Sequence, residues 1–173
     1  VMRVSAEGGT PTKLTSLPER QVDTHPVFLP DNRHFLYVRG SGNAPDDRVV
    51  LVGDIEAKPE AQSTTPLMKA RYGVAVVPAV GATPTQMMFL RDGTLFTQTL
   101  DTSSMTLVGE PSTVAQQVAD ILGALWGQFS VSRTGTLVYR TITGVNRQLT
   151  WFDRQGQIVG RPGEPAPFGQ LKL

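Results

Sequence analysis

The stretch at residues 126–140, WGQFSVSRTGTLVYR, constrains the fold more than any other, because it spells two short strands and the turn between them. Residues 128–131 alternate as a half-buried strand does, Arg133-Thr134-Gly135-Thr136 supplies the turn, and Leu137-Val138-Tyr139 begins the return strand. Glycine in such a turn reaches backbone angles that a Cβ makes costly. The same unit recurs upstream in looser spelling. First turns fall at positions 31, 82 and 134, intervals of 51 and 52. Second strands centred on 36, 88 and 138 repeat at 52 and 50, and third strands centred on 52, 98 and 151 at 46 and 53.

Four short strands per cycle, at a period of this length, are the signature of propeller blades. A small twisted sheet cannot bury both faces alone, so neighbouring sheets stack face to face. The expected fold is therefore all-β, a segment of a β-propeller built from four-stranded antiparallel blades. Residues 1–15 form the outer half of one blade, 24–68, 72–116 and 126–163 three blades, and 164–173 the start of the next, at Leu171. A closed ring needs at least four blades, so the chain covers about half of a propeller.

Within this scheme residues 1–5 and 12–15 are a hairpin around Glu7-Gly8-Gly9, and 16–25 a polar loop. Strands follow at 25–29, 35–38 and 49–52, with a fourth near 64–68. The next cycle places strands at 73–78, 86–90 and 95–100, and a fourth from 105 onward. Residues 113–125 carry a competing signal, since Val114, Val118, Ile121, Leu122 and Leu125 recur at helical spacing. The repeat needs a strand and an inter-blade loop there, and Gly123 weakens a helix, so strand plus loop is the preferred reading.

Composition narrows the partners. With 16 basic and 15 acidic residues the net charge is +1, and no Lys/Arg cluster stands out, so neither nucleic acid nor an anionic membrane surface is expected. Cysteine is absent, which excludes disulfides and thiolate zinc sites within this sequence. No apolar run approaches the ~20 residues of a membrane helix. Opening at Val1 in a strand-like stretch, the sequence is expected to begin inside a domain. Its unpaired blade edges are expected to favour self-association.

The segment HPVFLPDNRHFLYVRG, residues 25–40, resembles the blade motif of TolB-like, WD-like propellers. Leu29-Pro30-Asp31-Asn32 stands where that motif has Ser-Pro-Asp-Gly, and Asn tolerates left-handed angles better than most residues. A wider likeness runs through FLPDNRHFLYVRG, MMFLRDGTLFTQTLD, LVGEPSTVA, FSVSRTGTLVYR and NRQLTWFDRQGQIVG, in that order. This succession is similar to the C-terminal propeller of bacterial, eukaryotic-like serine/threonine protein kinases. The resemblance implies a non-catalytic sensor or interaction module on the extracytoplasmic face, with a kinase domain and a membrane helix elsewhere in the parent protein. No Gly-rich loop with a strand Lys, no HRD and no DFG occur in the sequence. Similar propellers also stand alone or accompany peptidases, which is the alternative reading.

Candidate chemistry is sparse. His25 and His34 are the two imidazoles; no G-x-S-x-G nucleophile turn accompanies them, so no catalytic residue is assigned. Asp46, Asp47 and Asp54 lack the spacing of a calcium loop, and the glycines at 8–9 and 40–42 open no phosphate-binding helix. No metal and no cofactor is expected. The loops that enter the first strands carry Asp23-Thr24-His25, Lys69-Ala70-Arg71-Tyr72 and Leu125-Trp126. In a propeller these loops gather on one rim, so His25, Arg71, Tyr72 and Trp126 are the candidate contacts for a protein or small-molecule ligand.

Overall fold

The computed structural model describes residues 1–41, 45–121, 125–141 and 148–165. Among these, every regular element is a β-strand or a single 3-10 turn, so the chain is all-β. It divides into two units, Val1–Thr141 and Ile142–Leu173.

In the first unit β1 (Met2–Ser5) and β2 (Gly8–Lys13) form a hairpin. A meander of four antiparallel strands follows: β3 (Gln21–Phe28), β4 (His34–Ser41), β5 (Val49–Asp54) and β6 (Met68–Lys69). A second meander has β7 (Ala75–Val77), β8 (Gln86–Arg91), β9 (Thr94–Asp101) and β10 (Thr106–Ala115). Then β11 (Asp120–Ile121) pairs with β12 (Trp126–Gly127), and β13 (Phe129–Val131) with β14 (Leu137–Tyr139).

The inner strands of both meanders are apolar on both faces, as strands covered from two sides must be. In β4, Phe35 and Tyr37 point one way and Leu36 and Val38 the other, and none is more than 2% exposed. Leu36, Val38 and Val50 share one core cluster with Met87, Phe89 and Leu100 of the second meander. On the opposite face Phe35, Tyr37 and Leu51 pack with Leu14, beyond β2. The far face of the second meander, Met88, Leu90 and Leu95, packs with Tyr72, Val118 and the hairpin residues Phe129, Val131 and Leu137. Sheets therefore stack in chain order, and β7 lies against both β3 and β13. Each large apolar side chain so buried contributes about 1.5–3 kcal/mol.

The turns follow from local chemistry. Asp31 Oδ1 accepts from the backbone N–H of Arg33 and of His34, and Asn32 takes the left-handed residue at φ 57°. Ser132 repeats the device: its Oγ accepts from Thr136 N–H while Gly135 sits at φ 86°. Asn and Gly occupy the positions where other side chains would be strained.

Several local expectations change. β3 begins at Gln21, inside the stretch read as a polar loop, because Arg39 of β4 grips Asp23 through Nε and Nη2 at 2.7 and 2.9 Å. A buried, forked ion pair replaces the apolar signal that sequence reading looks for. β2 starts at Gly8, earlier than the strand expected at 12–15, and β6 is only two residues long. The helical spacing of residues 113–125 yields to strand: Thr113 and Ala115 pair with Phe96 and Leu95, and Val118 N–H donates to the Gly93 carbonyl at 2.8 Å. Residues 122–124 lie outside the described set.

The second unit holds β15 (Trp151–Phe152) paired with β16 (Ile158–Gly160) around a turn organised by Asp153. Residues 126–163, expected as one four-stranded blade, thus contain two separate two-stranded sheets at β13–β14 and β15–β16. Of the expected next blade start at 164–173, residues 166–173 lie outside the described set.

Candidate functional site

Where β3, β7 and β13 run side by side, three repeat-equivalent pairs fall close together: His25-Pro26, Tyr72-Gly73 and Trp126-Gly127. His25 was expected at the entrance of its strand, as the first residue of 25–29. It sits instead within β3, at a bulge between Thr24 and Val27, with φ 53°. The extra residue re-aims the side chain, as bulges do. Its ring meets the indole of Trp126, with centroids 5.2 Å apart and planes tilted by 47°.

Glycine makes this approach possible. A Cβ on Gly73 would lie 2.9 Å from His25 Cβ and Cγ, and one on Gly127 would lie 2.9 Å from the Phe129 ring. Only a residue without a side chain leaves room for both aromatic rings. Between the strands opens a cleft of about 490 Å³, lined by His25, Val27, Val74, Trp126, Phe129 and Val131 among others. Its lining is largely apolar, with the imidazole, the indole N–H and the Ser130 hydroxyl as the polar side-chain groups. Burial pushes the His25 pKa down, and the nearby positive charge of Arg48 pushes it further.

Tyr72 and Arg71 face elsewhere. Tyr72 is buried in the cluster under β8 and β9, and its phenol donates to Asp120 Oδ2 on β11. Burial raises the phenol's pKa, and the Asp120 carboxylate adds to the rise. Arg71 pairs with Asp46, an exposed carboxylate of the β4–β5 loop, whose hydrogen bond, and after it its charge, raises the guanidinium pKa. Together with Lys69, Arg91 and Asp92 these two line a separate cleft of about 220 Å³. The four residues singled out from sequence therefore divide: His25 and Trp126 share a cleft, Tyr72 works as a buried strut, and Arg71 belongs to a charged rim.

His34 has a structural task. Its Nδ1 contacts Asp31 Oδ2 in the β3–β4 turn, and Arg33 beside it forks onto Asp54. That fork holds the Asp54 carboxyl at a pKa of about 2. Among the described residues no group of three or more His, Asp or Glu is placed to hold a metal ion, and no helix is long and apolar enough to cross a membrane.

Sequence reading missed Asp120, Arg48 and the two glycine slots. Asp120 lay inside the segment with two competing periodicities, and Arg48 followed an acidic pair that made its loop look solvated. The recurring aromatic-Gly pair at 72–73 and 126–127 was the signal that could have found the slots.

Compared with known proteins, the chain matches no family model, no curated protein and no solved structure.

Proposed function

We propose that this chain is a segment of a β-propeller that serves as a non-catalytic sensor or binding module, held on the extracytoplasmic face by a bacterial receptor-type serine/threonine kinase. The observation that carries the reading is the stack itself. The second meander is covered on one face by the first meander and on the other by the β13–β14 hairpin, the far face of the first meander packs on Leu14 and Val1 at the ends of the β1–β2 hairpin, and the first strand of the second meander lies between the first strands of its neighbours. A set of repeated sheets with their first strands gathered on one side is how propeller blades surround a channel.

The binding role is supported by the cleft at that gathering point. It offers an apolar wall, a half-exposed Trp126 and an imidazole, a mixture suited to holding a small ligand. The kinase attachment rests on the resemblance of the ordered segments, from FLPDNRHFLYVRG to NRQLTWFDRQGQIVG.

The test is to determine the structure of the protein encoded by the complete reading frame and to label it in intact cells. Val138, exposed on β14, takes a single cysteine in this cysteine-free sequence. The expected result is a closed ring, a kinase domain across one membrane helix, and reaction of the Val138→Cys thiol with a membrane-impermeant maleimide. An open linear stack overturns the propeller, and a thiol protected until the cells are lysed overturns the extracytoplasmic placement.

A further inference from the structure

The cleft between β3, β7 and β13 is walled by strand edges as well as by side chains. Four consecutive residues leading into and along β7, 73–76, line it, as do three of β13, 129–131. Side chains alternate across a strand, so neighbours in sequence point to opposite faces of the sheet. Val74 and Val76 accordingly belong to one core cluster, while Ala75 and Val77 pack against the other. An unbroken run of residues at the cleft is therefore presented by the edge of the strand, with its backbone N–H and C=O groups. β3, β7 and β13 each stand at the end of their sheet, so among the described residues that edge has no ladder partner.

The side chains at the cleft are uncharged. Among the described residues that line it, none is Asp, Glu, Lys or Arg. Asp23 with Arg39, and Asp46 with Arg71, pair with one another outside the lining. Burial holds the His25 pKa below its ordinary value, so the imidazole is neutral at pH 7. An ion entering here sheds water without gaining a counter-charge, which is costly. A plain hydrocarbon covers the Ser130 hydroxyl, the indole N–H and the strand edges without bonding them, which is costly too. A hydroxyl both donates and accepts, and so answers a strand edge that offers N–H and C=O groups together.

We propose that the cleft binds a small uncharged alcohol with an aliphatic body, its hydroxyl bonded at the free edges of β7 and β13. The body lies on Val27, Val74, Phe129 and the indole of Trp126, which is 51% exposed. A volume of about 490 Å³ is within the range that encloses small ligands. The proposal rests on the reading of the chain as a binding module. Its test records charge selectivity at one cleft, whereas ring closure and cell labelling record architecture, so either can fail alone.

The experiment uses three molecules of one shape: cyclohexylmethanol, cyclohexanecarboxylate and cyclohexylmethylammonium. Each is titrated at pH 7 into the purified chain carrying Trp151→Phe, which leaves Trp126 as the one indole reporter. The alcohol is expected to give a saturable fluorescence change, with both ions at least tenfold weaker, about 1.4 kcal/mol. Ser130→Lys, at an exposed position of β13, places a cation on the lining and is expected to tighten the carboxylate at least fivefold. Imidazole NMR gives a second readout of place should Ser130→Lys not fold: the alcohol shifts the His25 resonances and leaves those of His34, in the β3–β4 turn, unmoved. Binding of either ion as tightly as the alcohol overturns the proposal, as does the lack of a saturable response to the alcohol. Carboxylate affinity unchanged in a folded Ser130→Lys, or His25 resonances unmoved by the alcohol, overturns the placement in this cleft.

Discussion

The β3–β4 hairpin and the β15–β16 hairpin are organised by closely related turns yet live in opposite surroundings. Asp31 accepts two backbone N–H bonds in one, and Asp153 accepts from Gln155 and Gln157 in the other. Gly156 supplies the positive φ at 79°, as Asn32 does at 57°. But β4 is buried on both faces, while Trp151, Phe152, Ile158 and Val159 are all at least 50% exposed. Turn chemistry thus specifies a hairpin whether or not anything covers it. Burial is a separate contribution, made by neighbouring sheets, and it is where most of the stability resides.

The sharpest way to break this comparison is to truncate one aromatic in each region. Phe89, 1% exposed within the main core cluster, is expected to cost about 3–5 kcal/mol on conversion to alanine. Phe152, 59% exposed, is expected to change stability by less than about 0.5 kcal/mol on the same conversion. Urea denaturation followed by far-ultraviolet circular dichroism measures both. Similar losses for the two would mean that β15–β16 carries a core of its own.

A smaller effect separates packing from backbone strain. Gly53 lies opposite Phe35, and a Cβ there would come within 2.3 Å of the tip of the phenyl ring. Gly53→Ala is expected to cost about 1–3 kcal/mol by overpacking. Gly135 has open space around it but a φ of 86°, so Gly135→Val tests conformation and is expected to cost about 1–2 kcal/mol. Thermal melts of the two variants give the comparison, and an unchanged melt for Gly135→Val would remove the positive-φ turn from the account.

These two glycines also show what the sequence makes visible. Gly135 was legible because its neighbours Ser132, Thr134 and Thr136 are turn formers within a few residues. Gly53 was not, because its reason is a phenyl ring across the sheet. The apolar runs FLYV and MMFLR announced the buried strands, and the four-strand cycle announced the stacking. Residues whose roles depend on distant partners stayed hidden: Asp23 with Arg39, Tyr72 with Asp120, and Arg48 lying over Gly40. The bulge that carries His25 was hidden for a related reason, since it exists only relative to the register of β4.

The mildest test concerns charge in the β3–β4 turn. Arg33 holds Asp54 down to about 2 from the ordinary 3.8, so the pair's contribution is fully present above pH 3.8 and is lost as pH falls through about 2. Carboxyl NMR of Asp54 is expected to report that midpoint, and Arg33→Gln to move it upward. An Asp54 midpoint unaffected by Arg33→Gln would show that the fork is open in solution.

The stacking of sheets in chain order has a consequence for how the protein is made. Each meander is drawn from one uninterrupted stretch, so a ribosome delivers it whole before the next begins. At about 5–20 residues per second, a cycle of some fifty residues emerges over roughly 2.5–10 s, whereas a hairpin closes in about 1–10 μs. Every sheet therefore has ample time to form on the one already in place, and waits with its far face bare until synthesis supplies the next. Nascent chains of this design are most vulnerable in those intervals, and a long translational pause after Asp101, with β10 still unmade, would prolong the exposure of Met88, Leu90 and Leu95.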